Sequence, residues 1–380
     1  MAKRLIVCCD GTWNFADQPS RTNVTKVALS VRPQDGDITQ RVYYHSGVGT
    51  NRRERWRGGA LGVGLSRNVV DAYRFLVDNY EPEDQLYFFG FSRGAFTARS
   101  LAGLVRNSGI LRREYRDRVG EAWTLYRSRT EKPTSTASTL FRRSYAYETG
   151  IRFIGVWDTV GALGIPMPAS PRLAAGANHF NRRWAFHDTT LSSWVQSAFH
   201  ALAVDEQRSP FPPTLWSKRT GSDDEEALRR RGGSPQELKQ VWFTGVHCDI
   251  GGGYAEPALS DIPLLWMVGE ATRCGLKFED TAFKGPRPGA TPSDDSTDVT
   301  VEPDVMGTLH DSRSGLYRWL PPVPRPIGEA VDGFEFVSDT VLRRHDADPA
   351  YQPKKLADYL KASDPKVETI RPRIPGADQS

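Results

Sequence analysis

The sequence predicts an α/β fold: a mostly parallel central sheet, helices on both of its faces, and inserted loop segments. Three observations carry that expectation. Short apolar runs recur along the chain, as at residues 4–9, 86–89 and 151–157, each too short for a helix and apolar on both faces. Stretches with helical spacing of apolar residues alternate with them. Several runs also end on a polar, chemically capable side chain, where a parallel sheet presents its loops.

Residues 4–9 form the first expected strand around Leu5, Ile6 and Val7, and residues 23–31 the first helix. Residues 40–47, centred on Val42, Tyr43 and Tyr44, read as a second strand. Glycines at 58, 59, 62 and 64 open a helix through Tyr80, whose Val69, Val70, Tyr73, Leu76, Val77 and Tyr80 share one face. These glycines lack the Gly-Lys-Ser/Thr that a phosphate loop requires. After a turn at 81–84 come an apolar strand at 86–89 and a helix at 95–105. Further on, a helix is expected at 115–127, a Ser/Thr-rich connector at 128–144, a strand at 151–157, a helix at 194–204 and a strand at 240–246. Residues 217–236 and 284–302 are expected to be mobile insertions in a single domain of residues 1–360, with 363–380 a loose tail.

Composition narrows the function. The chain carries 50 basic against 46 acidic residues, a net charge of +4, with 38% apolar and 11% aromatic residues. That is apolar material for a sizeable core, and the slight charge excess does not mark a nucleic-acid binder. Arginine clusters at 52–57 and 229–231 are suited to phosphate or an anionic surface, but such runs are more often solvated faces. Cys8, Cys9, Cys248 and Cys274 form no C-x-x-C pair and read as thiols in a reducing compartment. No metal-ligand spacing appears, and no cofactor is expected. The N-terminal apolar stretch is too short for a secretory signal and nothing approaches a membrane span. A cytoplasmic protein is expected, with export open only to a signal-independent route.

The most informative run is residues 86–94, Leu-Tyr-Phe-Phe-Gly-Phe-Ser-Arg-Gly. Gly90, Ser92 and Gly94 supply a G-x-S-x-G spacing with strand before and helix after. That is the setting of a nucleophile elbow, where the serine sits on a sharp turn and side chains at the flanking glycines would strike neighbouring backbone. A serine hydroxyl needs a base to take its proton and a third group to hold the base. In α/β-hydrolases these follow in the order serine, acid, histidine at strand ends. The strand at 151–157 delivers Asp158, and the strand at 240–246 delivers His247. His200, on an expected helix, is the main competitor for the base, ahead of His45, His179, His187, His310 and His345. Asp205 and Asp249 compete with Asp158 for the acid, although Asp249 is better suited to capping the glycine turn at 251–253.

A tetrahedral intermediate also needs backbone donors aimed at its oxyanion. Arg93, directly after the serine, supplies one. The second is expected at the end of the first strand, from Gly11 or Thr12 in Asp10-Gly11-Thr12-Trp13-Asn14. Asp10 is expected to organise that loop rather than to join Asp249 at a cation.

Five motifs then stand in order: Cys9-Asp10-Gly11-Thr12-Trp13-Asn14, Gly90-Phe91-Ser92-Arg93-Gly94-Ala95, Val156-Trp157-Asp158-Thr159-Val160-Gly161, the run from His200 to Glu206, and the run from Trp242 to Tyr254. Together they resemble the α/β-hydrolase family of the type VI secretion phospholipase effector catalytic domain, from about residue 3 to about residue 355. The resemblance implies a serine esterase or lipase, with phospholipid acyl esters as the substrates of toxin members, and it maps the triad to Ser92, Asp158 and His247. The expected partner is then a small-molecule or lipid ester, with transient membrane-surface contact and no nucleic acid. Residues 217–236, with Phe211, Leu215 and Trp216 just ahead, are suited either to a lid over the mouth of the site or to a disordered surface loop with no effect on the chemistry. Two other readings stay open on sequence alone: a catalytically silent binding module, and a peptidase or acyltransferase using the same triad.

Overall fold

The computed structural model describes residues 2–11, 20–47, 60–161, 190–218, 225–285, 298–330, 334–362 and 365–371. Its strands are β1 (Arg4–Cys9), β2 (Gln34–Asp35), β3 (Ile38–His45), β4 (Gln85–Phe91), β5 (Ile110–Leu111), β6 (Ala146–Tyr147), β7 (Ile151–Trp157), β8 (Val195–Ala203), β9 (Glu237–Phe243), β10 (Glu335–Ser338) and β11 (Val367–Glu368). Nine of them form one sheet in the order β11-β10-β9-β8-β7-β4-β1-β3-β2. Every neighbouring pair in it is parallel except β2 with β3. The helices are α1 (Asn23–Ser30), α2 (Ala60–Asn79), α3 (Arg93–Ser108), α4 (Val119–Arg127), α5 (Thr136–Tyr145), α6 (Glu225–Arg230), α7 (His247–Gly251), α8 (Ala258–Arg273), α9 (Asp339–Ala347) and α10 (Lys354–Leu360).

Strand β1 illustrates why the sheet is covered on both sides. Its side chains alternate: Leu5, Val7 and Cys9 join one apolar cluster with α2, α3, α4 and α5, while Ile6 and Cys8 join another with α1 and α8. This is the α/β-hydrolase-like fold that the sequence predicts. The strand order reverses at β1, with β3 on one side and β4 on the other. In open parallel sheets the crevice outside the carboxyl ends at such a reversal is where ligands bind.

Several expected elements differ. Of the helix expected at 194–204, residues 195–203 form strand β8. Its neighbours β7 and β9 take up its backbone hydrogen bonds, and both of its faces are buried. Its Ala and Leu content favours helix in isolation, and tertiary pairing overrides that preference. The expected polar connector contains α5, whose N-cap Ser135 accepts from the Ser138 N–H. Strand β9 stops at Phe243, so His247 opens α7 instead of ending a strand. The supposed tail contributes β11, which extends the sheet beyond β10.

The lid expectation for 217–236 is also overturned for its described part. Arg230 bonds Glu148, Arg231 donates to the Ser193 carbonyl, and Gln236 donates to the Ser192 and Val195 carbonyls. These partners sit at the amino ends of β7 and β8, the opposite edge from the crevice. Parallel topology requires it, because a segment leading into β9 must arrive at the amino edge. The same bonds give Arg230 and Arg231 structural roles, while residues 52–57 lie outside the described residues.

Candidate active site

Ser92 stands at the carboxyl end of β4 with φ +57, in the region that non-glycine residues rarely adopt. Its N–H is anchored on the Trp157 carbonyl at 3.0 Å, and its side chain makes no capping bond to α3. The two flanking glycines are required by contact. A Cβ at Gly90 would lie 2.6 Å from Ala95 Cα, and one at Gly94 would lie 2.0 Å from the Cys9 carbonyl oxygen. The elbow therefore presses α3 against the end of β1.

Asp158 follows the adjacent strand, β7, and is fully buried with φ +33. Its Oδ2 lies 2.6 Å from His247 Nδ1, and its Oδ1 accepts from the Ala203 N–H at 3.2 Å. The structure thus brings the predicted acid and base together through Nδ1, and Nε2 is the ring nitrogen outside that contact. His247 is seated between aromatic rings, with Phe91 at 4.7 Å and Phe211 at 5.1 Å between centroids. Gly251 on α7 makes room for the Phe91 ring, which a Cβ there would meet at 2.0 Å.

Two contributors have no role assigned from the sequence. Arg325, 167 residues along the chain from Asp158, donates Nη2 to Asp158 Oδ2 at 2.9 Å and Nε to the Glu206 carbonyl at 3.1 Å. Burial alone would raise the Asp158 carboxyl, but the Arg325 guanidinium and the His247 imidazole hold it below the usual carboxylate range. Glu206 is the second. Its carboxylate accepts from the His247 N–H at 3.3 Å, from Ser312 Oγ at 3.0 Å and from Arg208, so it fixes the start of α7. No local pattern marks Arg325, and Glu206, although it closes the run from His200, acts through the distant His247 and Ser312.

The competitors are placed elsewhere. His200, on β8, accepts the Thr159 N–H at Nε2 (3.1 Å), which directs its other nitrogen to Gln240 Oε1 at 3.4 Å. Burial, with the charge of Arg99, pushes its imidazole down to about 3, so it is neutral and supports the neighbouring loop. Asp205 accepts from the Gly245 N–H and the Tyr351 hydroxyl. Asp249 caps α7 by accepting from the Val246 N–H at 3.0 Å, rather than the glycine turn, and its other oxygen meets His310 Nδ1 at 2.6 Å. His179 and His187 lie outside the described residues.

At the oxyanion side, Arg93 N–H is the first amide of α3, one of the four that a helix leaves without an internal acceptor. Gly11 requires a correction: its N–H donates to Asp10 Oδ1 at 2.6 Å and is therefore engaged within its own loop. Thr12 lies outside the described residues. Asp10 organises the loop, its Oδ2 accepting from Thr22 (2.5 Å), Thr25 (2.9 Å) and Tyr44 (2.9 Å). Next to Thr22, Asn23 donates to the Ile250 carbonyl, so this network also ties the end of β1 to the helix that carries His247.

Comparison with known proteins follows this geometry. Residues 3–270 match the family described as the type VI secretion system phospholipase effector Tle1-like catalytic domain. An uncharacterised protein of Saccharomyces cerevisiae is 26% identical over 401 residues, covering 74% of this chain and 58% of that protein. The chain thus spans less than two thirds of that relative. Among solved structures, an uncharacterised protein from Pseudomonas aeruginosa aligns with TM-score 0.41 and 19% identity over 73% of this chain and 46% of its own. A lipase/esterase from Lactobacillus plantarum aligns with TM-score 0.28 and 11% identity, covering 62% of this chain and 78% of its own.

Proposed function

The chain belongs to the Tle1-like family of type VI secretion phospholipase effector catalytic domains, and on that premise we propose that it is a serine hydrolase of lipid esters, working through an acyl-enzyme on Ser92. His247 Nε2 takes the hydroxyl proton as Ser92 Oγ forms a bond to the acyl carbonyl carbon. Asp158, on Nδ1, orients the ring and stabilises the imidazolium. The Arg93 N–H donates to the oxyanion of the tetrahedral intermediate. When the carbon–oxygen bond to the alcohol breaks, His247 returns the proton to the leaving oxygen. Water then repeats the sequence on the acyl-enzyme, with His247 again as base, and frees the carboxylic acid and Ser92.

One observation supports this reading above the others: a 2.6 Å Nδ1–Oδ2 contact between two buried side chains, beside a serine held at positive φ on a strand-to-helix turn. Both features suit a nucleophile and its base, and backbone strain of this kind gathers at functional sites. The apolar rings of Phe91 and Phe211 against His247 suit an acyl substrate, and we extend the proposal to phospholipid acyl esters on that ground together with the family. Labelling of the pure protein with a fluorophosphonate probe tests the nucleophile, with Ser92→Ala as control. Labelling at Ser92, followed by release of fatty acid from a phospholipid, is the expected result. A folded wild type that takes no label sinks the proposal.

A further inference from the structure

Residues 315–325 run from an exposed surface into the site. A 3-10 turn, Gly315–Trp319, ends in Trp319, which is 85% exposed. Pro321, Pro322, Val323 and Pro324 continue as an exposed run, with Leu320 half-buried. The next residue, Arg325, is buried against Asp158. Tyr317, within the turn, packs edge-on to Phe211, which itself touches His247. The apolar ridge at 319–324 therefore stands at the rim of the catalytic crevice.

A single exposed apolar side chain is ordinary on a protein surface. The amide donors of residues 320–324 set this run apart, because each is either absent or paired within the protein. Pro321, Pro322 and Pro324 have no N–H to donate. The Leu320 N–H is bonded to the Tyr317 carbonyl at 3.2 Å, and the Val323 N–H to the Gln207 carbonyl at 2.9 Å. The Leu320 carbonyl accepts from Arg313 Nη2 at 2.8 Å. With no unpaired N–H at 320–324, the cost of bringing this run toward an apolar phase is lowered on the donor side. The indole of tryptophan also favours the headgroup level of a bilayer, and the exposed Arg318 next to it adds positive charge toward anionic lipid. No helix among the described residues is long and apolar enough to cross a membrane, so the contact this ridge offers is peripheral.

We propose that residues 319–324 are a docking surface for a phospholipid bilayer, holding the mouth of the site against acyl chains at the membrane face. The choice of lipid as the occupant rests on the esterase reading. Cosedimentation of the Ser92→Ala protein with vesicles of phosphatidylcholine and phosphatidylglycerol tests the proposal without turnover. The double substitution Trp319→Ser/Val323→Ser is expected to weaken partition by about tenfold or more while the thermal melt is retained. The single Trp319→Ser guards against a folding defect and should give a smaller loss in the same direction. Failure of the parent to sediment with vesicles, or partition indifferent to both substitutions, overturns the docking surface. Hydrolysis of a soluble short-chain ester by the protein with Ser92 intact is read separately. Vesicle binding without any such turnover would remove the esterase reading and leave the docking surface standing.

Discussion

Arg325→Met removes the guanidinium from Asp158 and keeps an unbranched apolar stem. The two side chains are 2% and 0% exposed, with Nη2 and Oδ2 2.9 Å apart. Deleting one partner of a buried ion pair leaves the other charge uncompensated, at a cost of about 3–5 kcal/mol. Asp158 keeps His247 Nδ1 and the Ala203 N–H, which points to the lower end, about 3 kcal/mol at neutral pH. The pH dependence has a definite sign. A carboxyl held below its unfolded value contributes stability that is complete above that value, near ~4, and is lost as pH falls through the folded value. Without Arg325 the folded value rises, so acidification below about pH 4 costs the variant less stability than it costs wild type. Its deficit against wild type then narrows once the carboxyl is protonated in both. Urea unfolding at a series of pH values measures this, and the Asp158→Asn/Arg325→Met double variant completes a thermodynamic cycle with a coupling of at least about 1 kcal/mol. A deficit below about 0.5 kcal/mol at neutral pH, or one that does not change with pH, would refute the reasoning.

Three further outcomes follow from named contacts. Ser92→Ala should lower kcat on the order of 10³-fold or more, and adding His247→Ala should cost little beyond it, because members of one catalytic unit are not additive; a His200→Ala variant as inactive as Ser92→Ala, with His247→Ala active, would reassign the base. Gly94→Ala should destabilise the fold by at least about 3 kcal/mol, since its Cβ meets the Cys9 carbonyl oxygen at 2.0 Å and the Asp10 carbonyl oxygen at 2.5 Å; a thermal melt equal to wild type would contradict the close approach. Burial raises the Asp205 carboxyl to about 6, so ionising it in the folded protein is unfavourable. Stability of the wild type relative to Asp205→Asn should therefore fall as pH rises from about 4 to about 6 and level off above, and a constant difference across that range would reject the assignment.

The parts of the site that could be read from sequence are those encoded locally. Ser92 is announced by two glycines whose need is steric, and Asp158 by an apolar run that ends on it. His247 is found from its strand, although it sits on a short helix four residues past the last strand residue, Phe243. What escaped was encoded by distant partners. Arg325 sits in a proline-rich stretch with no periodicity, and only the folded chain brings it to Asp158. Residues 195–203 read as helix because their alternation is hidden where both faces of a central strand are buried. The misplaced lid had a different cause. Its composition suggested a cover, but the direction of β9 sends the residues just ahead of it to the far edge, and Phe211, nearer the end of β8, is the residue that meets His247.

The extent of the family match has a practical consequence for dividing this chain. The match ends at residue 270, inside α8, yet His310 and Ser312, which brace Asp249 and Glu206, come from later in the sequence. So does β10, which pairs with β9 along Glu335–Val337. A fragment cut where the similarity stops would expose the β9 edge, an invitation to pair with another molecule. The family match and the sheet therefore have different extents, since the sheet that such a cut would interrupt continues through Val367–Glu368.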